Sequence, residues 1–277
     1  MIGLVNSIQT NALKLGLCLM LLISITLKGQ DKDPFEFLSI DRPDVSNLPT
    51  TIRPGHYQFE MGVEFGKNDF VKEYSLPNFL LRTGLGKKLE LRLGVSYIQL
   101  DSSENKSSET FVMNILSFKY KVLEEKGIRP SIALQPDIIL GFREGPDSKN
   151  PSVDYGLVLL FNNTLHDRIF INYNAGIFVF REKIKEYLLS VSLSFLHTHR
   201  LGYFLEAYEL SESIGLKHLS VDGGITYLAK PRLQLDVYVG KQDALGSDRL
   251  YVGAGVGLRL DKGDLKPKTF RDIGIHH

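Results

Sequence analysis

The stretch LLRTGLGKKLELRLGVSYIQL, residues 80–100, places two apolar runs on either side of a short turn. In the second run, Leu89, Leu91 and Leu93 alternate with Glu90 and Arg92. A period of two predicts a β-strand with one apolar and one polar face. In a soluble sandwich the leucines would point inward, whereas in a membrane barrel they would face lipid and the charges would line the lumen. Fold and function both depend on which face is outside.

The composition describes an ordinary folded chain and excludes several classes of function. The chain has 277 residues, of which 43% are hydrophobic and 23% charged, and its formal net charge is +1. A charge so close to zero gives no reason to expect a nucleic-acid partner. The single cysteine, Cys18, excludes an internal disulfide. The length is ample for one large domain.

The amino terminus contains an apolar segment, LGLCLMLLISITL (15–27), preceded by Lys14. It is shorter than the roughly 20 residues that a membrane-spanning helix needs, and its length fits the core of a secretory signal peptide. We therefore predict a cleavable signal peptide over residues 1–29 and an exported protein. Cys18 lies in the middle of the apolar run, so we favour its removal with the signal over lipid attachment.

From His56 onward the sequence reads as strand, turn and strand, repeated without a clear helical period. About twelve strands are predicted, an even number: 56–65, 75–85, 88–99, 111–122, 130–142, 153–162, 168–180, 186–196, 200–209, 217–228, 232–240 and 249–260. Many are as long as the tilted strands of membrane barrels, about 9–11 residues. The pattern predicts an all-β fold: a closed up-and-down antiparallel transmembrane β-barrel over residues 55–260.

The connections between the predicted strands alternate in character. Short turns such as GKK and AKPR alternate with polar segments such as GKNDFVKE and KQDALGSD, which are mostly longer. Short turns at one end and longer loops at the other are typical of outer-membrane barrels. We therefore expect long connections at the extracellular end and short ones at the periplasmic end.

The polar faces of the strands carry charges of both signs and many glycines, which fits a crowded lumen. The predicted lumen set is Glu60, Glu64, Arg82, Glu90, Arg92, Lys119, Asp137, Glu206, Asp222, Asp236 and Arg259. In one interpretation these residues form a constriction that selects solutes by charge and size. In the other they pair across the interior and only hold the barrel together. Charges in a confined space must be paired or hydrated, so both interpretations predict ion pairs.

The chain on either side of the predicted barrel is polar. Residues 30–54 form a periplasmic segment that leads into the first strand and could plug the lumen or lie disordered. We favour partial order, because the motif IDRPD brings charges that could pair in the lumen. Residues 261–277 form a polar C-terminal tail.

Three passages in order resemble one known family. DRPDVSNLPTTIRPGHYQFEMGVEF (41–65), LPNFLLRTGLGKKLELRLGVSY (76–97) and DGGITYLAKPRLQLDVYVG (222–240) with YVGAGVGLRL (251–260) resemble a family of bacterial outer-membrane transporters labelled after a MetA pathway of phenol degradation. The resemblance implies a single outer-membrane barrel that passes small molecules, aromatic or hydrophobic ones among them. The characteristic residues that it implies are Asp41, Arg42, Pro43, Glu60, Arg82, Glu90, Arg92, Asp222 and Asp236. The polar tail departs from the aromatic last residue usual in such barrels.

Two histidine patterns suggest other chemistry. His218 and Ser220 share a strand face, as in the catalytic pair of outer-membrane acyl hydrolases, but Val221 stands where that family has asparagine. His197 and His199 lie in one short turn without an evident third metal ligand. We predict neither a catalytic nor a metal site, and no cofactor.

The sequence thus favours an outer-membrane channel for passive passage of small molecules through a charged lumen. Its expected partners are outer-membrane lipid, a small-molecule solute and the barrel-assembly machinery. A plugged, non-transporting barrel with a structural or binding role is the main alternative. The acyl hydrolase and a soluble exported barrel that binds an apolar ligand remain further alternatives.

Overall fold

The structure, a computed structural model, describes residues 38, 40–42, 45–102, 108–144, 152–180, 183–244 and 247–261. The predicted signal peptide, Pro43 and most of the C-terminal tail lie outside the described residues. The strands are β1 (His56–Lys67), β2 (Val71–Gly84), β3 (Leu89–Ser102), β4 (Ser108–Leu123), β5 (Ser131–Glu144), β6 (Ser152–His166), β7 (Ile169–Val179), β8 (Lys185–Leu196), β9 (Leu201–Glu212), β10 (Lys217–Lys230), β11 (Leu233–Ala244) and β12 (Ser247–Asp261).

The strands form one closed barrel in which each pairs with its neighbours in sequence and β1 pairs with β12. Every pairing is antiparallel, and β1 opposes β12 from His56↔Asp261 to Lys67↔Leu250. Closure leaves no free sheet edge, which lets strands cross a bilayer with their backbone groups satisfied. The predicted all-β barrel of about twelve strands is confirmed.

The leucines of the opening stretch lie on the outside. Leu93 and Val95 are 43% and 41% exposed, whereas Glu90 and Arg92 on the other face of β3 are 0% and 5% exposed. The other strands repeat this alternation, so the outer surface is apolar and the charges lie in the lumen. Such a surface is stable against lipid, because apolar side chains exposed to water would raise the free energy of the folded protein.

The expected sorting of connections by length is wrong. The connections contain two to seven residues at both ends of the barrel. Residues 241–248, which the sequence suggested as a loop, are mostly paired strand, with Gln242↔Arg249 and Asp243↔Asp248 in register. The error has a physical reason. Where a strand extends beyond the bilayer, its polar side chains face water while its backbone stays hydrogen-bonded to the neighbouring strand, so a polar stretch can be strand as well as loop.

The chain before β1 enters the barrel and fills part of its lumen. We call the described residues between 38 and 54 the inserted segment. The near end of the barrel is the end at which β1 begins, and the far end is the opposite one. The segment passes β12 at Ile40, reaches β8 and β9 at Ser46, and returns to the near end, where Pro54 pairs with Gly84. The predicted partial order of this segment is therefore correct.

No helix in the described part of the chain is long and apolar enough to cross a membrane, a finding that has no bearing on strands.

Candidate functional site in the barrel lumen

Asp41 of the inserted segment is the centre of an ion network in the near half of the lumen. Its Oδ2 accepts a hydrogen bond of 2.7 Å from Lys119 Nζ and lies 3.4 Å from Arg82 Nη1. Arg92 Nη1 also donates to the same oxygen. The three cations come from β2, β3 and β4, so one carboxylate of the segment joins three neighbouring strands of the wall.

Two carboxylates of the wall complete this network. Arg82 donates to Glu60 Oε1 at 3.0 Å and to the two oxygens of Glu90 at 2.7 and 3.1 Å. Arg82, Glu60 and Glu90 are fully buried. Three cations and three carboxylates therefore balance when Asp41 is included. Buried charges are tolerated only when they are paired in this way.

The surroundings of Asp41 keep it ionised. Burial by itself would raise the pKa of this carboxyl, but the charges of Arg82, Lys119 and Arg92 outweigh burial and hold the pKa below its ordinary value of 3.8. The inserted segment therefore contributes a fixed negative charge where the wall supplies an excess of positive charge.

Polar side chains of the wall also bind the backbone of the inserted segment. The two oxygens of Glu206 accept hydrogen bonds from the amides of Val45 and Ser46 at 2.6 and 2.7 Å. Glu90 Oε2 accepts one from the Ile52 amide at 2.7 Å, and Lys119 Nζ donates to the carbonyl of Leu48 at 2.8 Å. Irregular backbone buried in the barrel thus finds partners that it would otherwise lack.

Glycines of the wall make room for this segment. A Cβ at Gly255 or Gly62 would lie 2.5 or 2.0 Å from the guanidinium of Arg42, and one at Gly257 would lie 2.1 Å from Ile40. The GAGVG pattern of β12 is therefore a surface against which the segment packs. Arg42 also lies 3.6 Å from Asp236 of β11.

The far half of the lumen holds a second polar cluster, whose ion pairs form within the wall and whose Tyr238 also contacts Arg42 of the inserted segment. Arg249 of β12 binds Glu64 at 2.6 Å and Glu73 at 3.1 Å. The guanidinium lies 4.9 Å from the ring centre of Tyr251, whose hydroxyl donates to Asp222 at 2.8 Å. Tyr238 donates to Glu64 at 2.8 Å, and Tyr208 lies 3.4 Å from the Tyr251 hydroxyl. We call these residues the tyrosine–arginine cluster.

The opposite wall of the lumen contains an apolar cluster among polar side chains. Val158, Leu160 and Leu188 are buried there with Ala133 and Tyr208. Phe178 and Leu210 pack against this group. Towards the far end the apolar wall continues into a cavity of about 450 Å³ between β4 and β8. The lumen therefore has one side dominated by charges and another on which an apolar cluster lies among polar side chains such as Asn174 and Ser190.

The predicted lumen residues all lie on the inner face, but they belong to different groups. Glu60, Arg82, Glu90, Arg92 and Lys119 surround Asp41. Glu64 and Asp222 belong to the tyrosine–arginine cluster, Asp236 lies beside Arg42, and Glu206 binds backbone amides. Asp137 accepts a hydrogen bond from Gln135 at 3.1 Å, and Arg259 faces Gln58 across the β1–β12 pairing. A role of these residues in selectivity stays a prediction.

Sequence reasoning missed five residues of the tyrosine–arginine cluster, Glu73 and Tyr208 among them. Tyr238, Arg249 and Tyr251 were not proposed as lumen residues, although they share the phase of Asp236 and Gly253. The period of two already assigns these three side chains to the polar faces of the predicted strands 232–240 and 249–260. No local signal marked Ser46, whose partners Ser190 and Glu206 are far away in sequence.

The two histidine patterns lie in unrelated surroundings. Ser220 is buried on the inner face of β10, away from lipid acyl chains, and the ring of His218 lies 3.2 Å from the carbonyl of Asp243. His197 packs its ring against Phe195 and Tyr203. In the described ranges, no three or more His, Cys, Asp or Glu side chains are grouped so that they could hold a metal ion.

A closed antiparallel barrel with an apolar exterior and a charged lumen defines the chain as a transmembrane β-barrel of the outer-membrane type. More specifically, the chain belongs to the family described as "Putative MetA-pathway of phenol degradation", which matches residues 40–260. The resemblance that the three sequence passages indicated is thereby confirmed.

Solved structures share this fold at low sequence identity. The COG4313 outer membrane channel from Pseudomonas putida F1 is 11% identical with a TM-score of 0.52, and the match covers 84% of this chain and all of that one (100%). The NanC porin is 8% identical with a TM-score of 0.52, covering 73% and 100%. The KdgM porin in complex with disordered oligogalacturonate is 12% identical with a TM-score of 0.50, covering 72% and 98%. A search of the curated proteins found no match.

Proposed function

We propose that this protein is an outer-membrane channel for passive passage of small molecules, closed in its near half by the inserted segment. The observation that carries the proposal is that the closure comes from a separate piece of chain and not from the wall itself. The segment is held by many polar contacts, which water can replace when the segment withdraws, and by buried apolar side chains such as Ile40 and Ile52. No cofactor or energy source takes part.

Withdrawal of the segment would leave a lumen with two different sides. On one side Glu60, Arg82, Glu90 and Arg92 would be hydrated, and they would act on the charge of a solute. On the other, the wall around Val158 and Leu160 would offer apolar contact. These two sides support passage of small solutes that include hydrophobic or aromatic ones, in keeping with the description of the family.

A second candidate is a plugged barrel that does not transport. The balanced ion network favours it, because three buried cations facing three carboxylates could hold the segment permanently. The two candidates differ in whether the segment leaves the lumen in the intact protein.

The test is swelling of liposomes that carry the refolded protein, challenged with small sugars and with small aromatic solutes. The channel proposal expects slow, size-dependent swelling with the intact protein and much faster swelling after deletion of residues 31–54. A heat-dependent shift in gel mobility provides the control that each sample contains a folded barrel. Swelling by the deletion variant together with none by the folded intact protein would contradict the channel and favour the plugged barrel.

A further inference from the structure

The cavity in the far half of the lumen is separate from the inserted segment. It has a volume of about 450 Å³ and is lined mainly by the inner faces of β4, β5, β6, β7 and β8, together with Phe142 on the outer face of β5 and Phe180 just beyond β7. Its lining residues are Met113, Ile115, Ile139, Gly141, Phe142, Ser152, Asp154, Phe178, Phe180 and Glu186. This volume is within the range of pockets that hold small organic ligands, about 300–1,000 Å³.

The body of the cavity is apolar and partly aromatic. Met113, Ile115 and Ile139 form one wall, and Phe178 and Phe180 face them from the end of β7. Burying a ring against these side chains is favourable by about 25 cal/mol per Å² of apolar area removed from water. The lining therefore favours a ligand with an apolar part about the size of one aromatic ring.

The charged groups among the described lining residues are carboxylates. Asp154 and Glu186 line the cavity, and the described part of the lining contains no lysine or arginine. Glu186 is the direct cross-strand partner of Glu212 in the β8–β9 pairing, and two like charges in this position repel each other. A positively charged ligand group would relieve this repulsion.

We propose that this cavity is a binding site for an organic ammonium ion, a molecule with one apolar ring-sized part and a protonated amine. The apolar part would lie against Ile139 and Phe178, and the ammonium group would donate hydrogen bonds to Glu186. Phenylalanine rings close to such a cation add a cation–π attraction. The site rests on the geometry of the cavity and does not depend on whether the barrel conducts.

The chain contains a reporter for this site and a matched internal control. Met113 lines the cavity, whereas Met61 lies on the outer face of β1, where Val63 beside it in phase is exposed. With ¹³C-labelled methionine methyl groups, NMR of the folded full-length barrel in detergent can follow titrations at neutral pH with benzylamine, benzyl alcohol and benzoate. These ligands share one ring and differ in charge. We expect Met113 to shift at lower concentrations of benzylamine than of benzyl alcohol, and benzoate to bind at least tenfold more weakly than benzylamine.

Two variants test the role of the carboxylate. Glu186→Gln should weaken benzylamine binding about tenfold, the loss expected for one charge-assisted hydrogen bond, and leave benzyl alcohol unchanged. Glu209→Gln on the neighbouring strand is the matched control, because Glu209 pairs with Lys217 at 3.9 Å on the outer face. Ile139→Phe adds a ring inside the cavity and should abolish binding of all three ligands.

The proposal is overturned if benzoate binds as tightly as benzylamine, or if Glu186→Gln and Glu209→Gln give the same affinity for benzylamine. It is also overturned if Met61 and Met113 shift together in every titration, because that result would indicate partition of the ligands into detergent only.

Discussion

The near and far halves of the lumen neutralise their charges in different ways. In the near half, Arg82, Arg92 and Lys119 of the wall share a carboxylate, Asp41, that belongs to the inserted segment. In the far half, Arg249 finds Glu64 and Glu73 on adjacent strands of the same wall. The charge of Arg249 in the far half is neutralised by the wall itself, whereas the cations of the near half are balanced only with the segment in place.

This difference indicates which part of the protein can change conformation while the strands of the barrel stay paired. Backbone hydrogen bonds between strands hold the far cluster together, so it changes only if the barrel itself opens. The inserted segment has no strand ladder beyond the bridge of Pro54 with Gly84, and side chains hold most of it. Its release can therefore be local, at a free energy below that of global unfolding.

The largest effect is expected for Asp41→Asn, which keeps the shape of the side chain and removes its charge. Three buried cations would then face two carboxylates, and breaking a buried pair costs about 3–5 kcal/mol. Hydrogen exchange at the amides of Ser46 and Ile52 measures release of the segment directly. Protection there should fall by about two to four powers of ten.

The matched control is Asp248→Asn, which removes a carboxylate from an exposed pair with Lys241 at the far rim. Exposed pairs contribute about 0–1 kcal/mol, so protection of Ser46 and Ile52 should stay as in the unmodified protein. Equal protection in Asp41→Asn and Asp248→Asn would show that the network does not hold the segment.

Acid should release the segment as well. The pKa of Asp41 is held below its ordinary value of 3.8, so its ionised form stabilises the inserted state fully above that pH. As the pH falls below 3.8, Asp41 takes up a proton in the free segment before it does so in the inserted segment. The stabilisation of the inserted state by ionised Asp41 then falls by up to about 1.4 kcal/mol per pH unit. Liposome swelling should rise over this range.

Asp41→Asn provides the reference for this acid response, because it removes the titrating group. Swelling by that variant should be faster at neutral pH and should change less with acid than swelling by the unmodified protein. A steep acid response that persists in Asp41→Asn would assign the effect to other carboxyls.

A smaller effect is expected where the segment leaves the lumen, at Gly84. A Cβ at this position would lie 2.2 Å from the carbonyl oxygen of Ile52 and 2.5 Å from backbone atoms of Arg53, so the returning chain would have to move. Gly84→Ala should destabilise the inserted state by about 1–3 kcal/mol, measured as faster exchange of the Ile52 amide. Gly86→Ala is the control, because a Cβ there meets nothing within 4 Å.

The smallest effect is expected in the far half. Tyr251→Phe removes the hydrogen bond of 2.8 Å to Asp222 and keeps the ring beneath Arg249. The barrel should lose about 1 kcal/mol of stability, seen as a lower midpoint of the heat-dependent shift in gel mobility. Exchange at Ser46 and Ile52 should not change. If it does, the two halves of the lumen are coupled and the comparison between them fails.

The barrel itself could be predicted from the sequence because its signals are local. Alternation such as that of Leu89, Leu91 and Leu93 with Glu90 and Arg92 assigns each side chain to a face without knowledge of the strand's neighbours. The strand ends were less predictable, since polar residues such as Gln242 and Asp243 are equally stable in a loop and in a strand that continues into water. The prediction of loop lengths was wrong for that reason.

The contacts between lumen residues could be identified only from the three-dimensional structure. The motif at Asp41 and the charges at Arg82 and Lys119 were recognised, but their meeting across 41 and 78 positions of sequence follows from the closure of the barrel and the path of the inserted segment. Local pattern assigns a side chain to a face, whereas pairing partners are set by register and closure, which are long-range properties. The alternation of the strands, together with the predicted signal peptide and the number and length of the strands, was therefore enough to predict a membrane barrel. Only the folded chain shows that its near half is closed from within.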